Sequence, residues 1–483
     1  MGHIYKAIVI GAGITGLACA FRLRQLGIPA LLLEASNQAG GLISSLRRNG
    51  FLFEAGPQGP RFPQPVWTLV RELKLENEFV PGDPKAKRYI LRDGRLHLAP
   101  LSPMSLLSTN LLSMHSKYRL LSEALRHTRP PPTEESLAEF VARKFGAEVS
   151  DYLVDPFVST IFFSDAQKLG MLSAFPALVE WERSTGSLVR GAIRAYKSKK
   201  AKKDGTSAAS AARKASQTEA NEKLRVTDSL PTLGSFKNGM GTLIDRLAKE
   251  LKDELRLESP VESLLIDRED TLRDHSAWKV RARGLEEFCT DAVVLALPAY
   301  AAATLLQPSA PQLSSLLSAI EHAPMNVVAS AYHRNQVRHP LDGFGFMVPR
   351  KEGLHTVCTI WNSSVFPGRA PEGSVLMTSF SAGESHDDLM NASERVLAQT
   401  VEAENAKILG ITGTPIDHAV WKYPRALPQY TIGHAQRVQA IAAALHEFPG
   451  LYLAGNYLNG RSIGDCAASG FQAADTLHSH MRT

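Results

Sequence analysis

Gly11, Ala12, Gly13, Ile14, Thr15 and Gly16 carry the first chemical signal in the chain, a G-x-G-x-x-G spacing. The apolar run Ala7-Ile8-Val9-Ile10 precedes it directly, and the helical pattern Leu17, Ala20, Phe21 follows, so the expected order is strand, glycine turn, helix. In such a turn Gly11 permits the tight bend, Gly13 lets the backbone approach a pyrophosphate, and Gly16 allows close helix–strand packing. The helix N-terminus supplies amide donors to the phosphates. A second strand, Ala30–Leu33, leads into Glu34 and Ala35, and a carboxylate there can accept from a ribose hydroxyl. Alone, the glycine spacing would also suit a flexible loop. With strand, helix and acid all in place, it reads as a dinucleotide site.

The elements that must position this site belong to a large chain. Its 483 residues exceed what one core supports, so two or three connected domains are expected. Hydrophobic content of 44% and charged content of 21% suit a soluble globular enzyme rather than a disordered chain. The net charge of +6 is partly local, in Lys197, Lys199, Lys200, Lys202 and Lys203, which favours docking on anionic lipid over nucleic-acid binding. The four cysteines, Cys19, Cys289, Cys358 and Cys466, lie far apart, without the spacing of a zinc site or a redox dithiol, so free thiols and no metal are expected. The first strand begins by Ala7, leaving no room for a cleavable signal, and no uncharged run is long enough to span a bilayer. A cytoplasmic protein, peripheral on a membrane, is the expectation.

Residues 130–195 are helical in pattern: Thr133 can cap after three prolines, and Leu137, Phe140, Val141 and Phe145 share one face. Residues 198–228 lose apolar periodicity and read as a solvated, mobile loop. A turn at Phe236-Lys237-Asn238-Gly239-Met240-Gly241 then leads into a helix over 243–251, and β-like runs follow at 259–266, 278–282 and 292–297. Alternating or apolar runs at 327–332, 345–348, 356–361 and 375–380 suggest a mixed sheet. Near the carboxyl terminus, 450–454 followed by Gly455, Asn456, Gly460, Ser462, Ile463 and Gly464 is again strand, glycine-rich turn, helix. Leu106, Leu107, Leu111 and Leu112 form a candidate apolar patch for a bilayer, with core packing or homodimer contact as the alternatives.

Beyond Glu34 come Gly40, Gly41 and Leu42, then Gly50-Phe51-x-Phe53-Glu54-x-Gly56-Pro57-Gln58-Gly59. This continuation resembles the extended signature of the amine oxidase, phytoene desaturase and protoporphyrinogen oxidase superfamily, which implies FAD. Longer strings resemble the protoporphyrinogen oxidases themselves, above all the plant mitochondrial type. They include Phe145-Gly146-x-Glu148-Val149-x-Asp151-Tyr152-Leu153-Val154-Asp155-Pro156-Phe157-Val158 and Pro428-Gln429-Tyr430-x-x-Gly433-His434. The resemblance implies an α/β chain, α+β overall, with a discontinuous Rossmann-like FAD domain at 1–80, 229–298 and 424–483. It further implies a mixed-sheet substrate domain at 81–98 and 299–423, and a helical, membrane-contacting lobe at 99–197. Val261 would offer its backbone to the adenine, and Trp421 belongs to the segment covering the flavin. Arg88 would hold a propionate, and Met347, Ile360 and Phe380 would clamp the macrocycle.

By the same resemblance, protoporphyrinogen would be aromatised in three two-electron steps, with dioxygen reoxidising the flavin to give hydrogen peroxide. No side chain is expected as an essential acid or base; His434 is equally well structural. Two departures stand out. Residues 159–163, Ser-Thr-Ile-Phe-Phe, replace a small glycine-containing turn, and Gln58 stands where animal members have arginine, leaving more of the anchoring to Arg88. Coproporphyrinogen oxidation is the nearest rival reading, followed by amine oxidation or carotenoid desaturation. An escort-type binding module without redox chemistry is the alternative from another class.

Overall fold

The computed structural model describes residues 5–100, 102–197, 233–267, 277–382 and 387–482. The polar loop expected at 198–228 and its lysines lie outside the described residues. A five-stranded parallel sheet runs in the order Leu451–Leu453, Ala292–Leu295, Ala7–Ile10, Ala30–Leu33, Leu255–Arg256. Every residue of its three central strands is buried, which is why they read as unbroken apolar runs rather than alternating ones. One face packs on the helices Ile14–Gln25, Gly241–Glu250 and Ile463–His480. The other packs on the antiparallel strands Val261–Asp267, Ala277–Ala282 and Phe288–Thr290, and on the helices Ala299–Leu306 and Pro311–Ser318. Distant parts of the chain thus share one sheet.

The second sheet has seven strands, in the order Asp417–Pro428, His322–His333, Ser374–Ala382, Thr356–Ile360, Gly343–Met347, Lys87–Arg92, Arg95–Leu98. The strand Asp417–Pro428 runs unbroken through the domain edge expected between residues 423 and 424. Register places Ile90, Met347, Cys358, Phe380, Val327 and Trp421 side by side in one transverse row. Two residues along each strand, a second row holds Arg88, Gly345, Ile360, Thr378, Ala329 and Ala419. Side chains alternate with period two, so both rows project from the same face. Val328, on the opposite face, is covered by Leu397, Ala398 and Val401 of the helix Glu394–Leu409.

The third unit is helical. Its core gathers Leu137, Phe140, Val141, Val158, Leu169 and Met171. The helix Leu137–Phe145 is capped by Ser136, not by Thr133 as the prolines suggested. Ser136 and Glu139 form a reciprocal capping box directly before the first buried residue, which fixes the helix start there. The expected apolar patch is divided: Leu111 and Leu112 belong to the core, whereas Met104, Leu107 and Met114 are exposed.

This lobe also buries charge. Lys144 Nζ lies 2.9 Å from Glu182 and 3.5 Å from Glu123, and Arg143 lies 2.8 Å from Glu182. Burial pushes the Glu182 carboxyl up, but hydrogen bonds from Arg143, Lys144 and Thr128 outweigh it and hold the group at about 2. A carboxyl held below its ordinary 4.5 contributes stability that is present above 4.5 and lost as pH falls toward 2. The difference is worth roughly 3 kcal/mol. Acid titration followed by circular dichroism should therefore show loss of stability below pH 4.5, and Glu182→Gln should be less stable at pH 7 and less sensitive to acid.

Candidate functional site

The glycine turn after the first strand is shaped around its own backbone. Gly11 has φ +101°, and a Cβ there would lie 2.6 Å from the carbonyl oxygen of Ala296. A Cβ on Gly16 would lie 1.8 Å from the Gly11 carbonyl. Gly13 is different: a Cβ there would meet no atom of the chain within 4 Å, and one on Gly41 would meet only the Gly13 Cα at 3.7 Å. Gly13 pairs with Gly40, so the Gly40-Gly41 segment passes directly beside the turn. Gly13 also heads the helix Ile14–Gln25, whose N-cap has no side-chain acceptor and whose first turn has no acid. Open space, free amide donors and a positive dipole end coincide, as a pyrophosphate requires. Glu34 closes the second strand, with one carboxylate oxygen accepting from Ala12 N at 2.7 Å and the other from Ser36 N at 2.9 Å. These residues fit FAD.

The second turn is closed differently. Ser462 caps the helix Ile463–His480 in a box with Asp465, so this end already carries its own acceptor and a negative charge. The end at Gly13 therefore favours an anion and the end at Gly464 does not. The loop between Gly455 and Gly460 is held by Tyr430, whose hydroxyl donates to Asn456 O at 2.7 Å and accepts from Gly460 N at 2.8 Å. Val261 opens the strand Val261–Asp267, and Ser259 N, just before it, donates to Glu34 O at 2.8 Å.

The two-row face of the seven-stranded sheet meets residues 55–59, the turn expected from the sequence to meet the cofactor and hence the cofactor turn. Tyr423 donates to Ala55 O at 3.2 Å. Gln58 is buried; its amide donates to Glu54 O and Gly56 O and accepts from Asn362, whose own carbonyl accepts from Thr378. The Gln58 side chain is thus fully used inside the fold, and that residue has only its backbone left for a ligand. Met347, Ile360, Phe380 and Trp421 lie together in one apolar cluster with Phe163 and Tyr423. Arg88 is half-buried in the second row, its guanidinium 5.1 Å from the Phe344 ring and donating only to Ala86 O at 3.3 Å. Burial lowers its pKa, the neighbouring Arg61 lowers it further, and Asp83 opposes both. Among the described residues no carboxylate pairs with it.

His434 stacks on Tyr430 with ring centroids 4.2 Å apart and is pushed down to about 4, by burial first and then by Arg437. It is neutral at pH 7 and has no imidazolium proton to give. Two arginines near the site had no signal in the sequence. Arg369 is fully buried, 3.7 Å from the equally buried Glu54, and donates to Ser235 Oγ at 2.6 Å. Arg461 lies between the rings of Phe162 and Tyr430, at 4.2 and 4.8 Å.

The family model for flavin containing amine oxidoreductases matches residues 14–478. The chain belongs to that family. It is an FAD-dependent oxidoreductase, and its cradle follows from that membership as well as from its geometry. The mitochondrial protoporphyrinogen oxidase of Nicotiana tabacum is 34% identical over 99% of this chain and 95% of its own length. The coproporphyrinogen III oxidase of Bacillus subtilis (strain 168) is 26% identical over 98% of both chains. A crystal structure from Exiguobacterium sp. 255-15, described as a candidate protoporphyrinogen oxidase, superposes with a TM-score of 0.80 at 25% identity, covering 99% of this chain and 100% of that one.

Because Gly13 has φ −66° and open space around it, Gly13→Val is compatible with the fold. Its cost should fall on the cofactor: we expect a folded apoprotein whose FAD affinity is weaker by about a hundredfold, roughly 3 kcal/mol, read by flavin absorbance after gel filtration. Gly11→Val should instead lower the melting temperature of the apoprotein.

Proposed function

We propose that the chain oxidises protoporphyrinogen IX to protoporphyrin IX, in tetrapyrrole biosynthesis, with dioxygen as electron acceptor and hydrogen peroxide as co-product. The observation that carries this reading is the two-row face. Within those rows Arg88 alone is charged, and apart from Thr378, whose hydroxyl is spent on Asn362, the surface that abuts the cofactor turn is apolar. A broad macrocycle bearing carboxylates at one edge matches this distribution. The tobacco relative, 34% identical over nearly the whole chain, supports it.

FAD would be held by Gly11, Ala12, Gly13, Ile14, Thr15 and Gly16, by Glu34 and Ala35, and by Gly40, Gly41 and Leu42. Gly56, Pro57, Gln58 and Gly59, together with Val261, Trp421, Gly455, Asn456, Ser462, Ile463 and Gly464, complete the contacts. When bound, it would accept hydride at N5 from a reduced bridge carbon of the substrate. Arg88 binds a propionate and fixes the rotation of the ring in its plane. Met347, Ile360 and Phe380 present the flat apolar surface, and Trp421 continues it toward the cofactor turn. No side-chain base is assigned; pyrrole protons leave to water.

Coproporphyrinogen is the second reading, favoured by the Bacillus subtilis relative. Its two further propionates need cationic partners that the rows do not contain. Purified holoenzyme assayed by porphyrin fluorescence and oxygen uptake should turn over protoporphyrinogen faster than coproporphyrinogen, and the reverse order would sink the main reading. Arg88→Ala should lower kcat/KM by about ten- to a hundredfold, mainly through KM.

We also propose that the helical lobe docks on a membrane. Of nineteen exposed large hydrophobic residues among those described, twelve lie from Leu98 to Tyr196, among them Met104, Met114, Tyr118, Leu121 and Leu125. Among the described residues no helix is long and apolar enough to cross a membrane, so the contact would be interfacial. Met114→Glu with Leu125→Glu should abolish co-sedimentation with anionic vesicles and leave turnover of detergent-solubilised substrate unchanged. Retained vesicle binding by the double variant would refute the docking site, and a dimer-to-monomer change on gel filtration would assign the face to a second copy.

A further inference from the structure

We propose that Phe163, held by Arg461 and Arg350, is the residue that determines which porphyrinogen the pocket accepts, by walling off the part of the apolar face remote from Arg88. This rests on the porphyrinogen reading of the site.

Phe163 has φ +45°, a left-handed conformation that a side chain disfavours and that persists only where surrounding structure imposes it. The imposing contacts are present on both sides. Arg461 Nη1 donates to the carbonyl of Phe162 at 3.2 Å and to that of Pro428 at 2.9 Å, with its guanidinium stacked on the Phe162 ring. Arg350 Nη2 donates to the carbonyl of Ser164 at 2.7 Å, while its Nη1 pairs with Asp165 at 2.6 Å. The two peptide carbonyls flanking Phe163 are therefore each fixed by an arginine from another part of the chain.

Arg461 has no other evident reason to be where it is. Its Nε and Nη2 are buried without hydrogen-bond partners, burial draws its pKa down to about 10, and among the described residues no carboxylate forms an ion pair with it. Holding the turn is the role its contacts describe.

The turn aims Phe163 at the substrate surface. Its ring centroid is 5.5 Å from that of Phe380, and it shares a cluster with Met347, Ile360 and Trp421. Phe380 lies three strands from the Arg88 strand, about 14 Å at ordinary strand spacing. A macrocycle with its propionate edge at Arg88 would turn its opposite edge toward Phe163. Apolar substituents at that edge fit. A carboxylate there would be desolvated among aromatic rings without a cation in either row. Phe163 thus excludes porphyrinogens carrying propionates on the far edge.

Phe163→Gly tests this, because glycine adopts the same backbone conformation without strain, so the variant should fold and hold FAD as before. Turnover by holoenzyme should show the kcat/KM ratio of coproporphyrinogen to protoporphyrinogen rising by about tenfold, through a lower KM for coproporphyrinogen. Affinities for coproporphyrin III and protoporphyrin IX, read by tryptophan fluorescence quenching, should shift in the same sense. Arg461→Met should move the ratio in that direction, and Arg461→Lys should partly restore it. An unchanged ratio and unchanged porphyrin affinities in folded, FAD-loaded Phe163→Gly would overturn the proposal. If the unaltered protein turns over neither porphyrinogen, the functional reading fails, and the porphyrin affinities of the two forms still decide whether Phe163 is a wall.

Discussion

The contact that the rest of the site depends on is the short hydrogen-bond chain from Gln58 through Asn362 to Thr378. Gln58 ends the cofactor turn, and Thr378 stands in the second row of the seven-stranded sheet, beside Ile360. Both amides are buried, so each polar atom must find a protein partner, and the partners they find join two layers that Tyr423 and the Phe51 and Phe53 rings also hold together. On the proposed reading, how far apart those layers lie would set the distance between flavin and substrate. Buried, mutually satisfied amides allow little slack in that spacing, in contrast to apolar contacts alone.

A buried ion pair supports the same junction from behind. Glu54 accepts from Met240 N and Ser45 Oγ and lies 3.7 Å from Arg369, which also binds Ser235. Burial pushes the Glu54 carboxyl up to about 7, with Ser45, Arg369 and Met240 acting against it. Removing Glu54 would leave the buried Arg369 guanidinium without a carboxylate beside it, a destabilising change. The pair ties the strand Phe51–Glu54, the helix Gly241–Glu250 and the loop at Arg369 to one another, and so fixes the strand from which the cofactor turn departs.

What was legible in the sequence was local. The glycine turn, Glu34 and the buried parallel strands are each defined by neighbours within a few residues, and period-two patterning exposed the strands that form the substrate face. Glu54 stood inside a recognisable string, but its partner Arg369 is more than three hundred residues away, with no spacing to announce it. Arg461 escaped for the same reason, and Phe163, though it stood in the run 159–163 that departs from the family's turn, gains its setting only where three parts of the chain converge. Ser136 was legible, as a Ser-x-x-Glu box, and the preceding prolines drew attention to Thr133 instead. Leu111 and Leu112 show the limit of composition, since one apolar stretch supplies both core and surface.

The charges of the site are also distributed by tertiary structure. Among the described residues no carboxylate forms an ion pair with Arg88, though Asp83 lies near enough to favour its charge, whereas Glu182, Glu54 and Asp465 are each engaged by neighbours. His434, the side chain most suited to proton transfer by type, is kept neutral by the environment it is buried in. On the proposed reading, such a site leaves the chemistry to the cofactor and confines the protein to three tasks: holding the flavin along its length, presenting a flat apolar face, and fixing one edge of the substrate with one cation. Selectivity then follows from which edges are left without a cation, because a buried carboxylate without a partner is penalised far more than an apolar group in the same place.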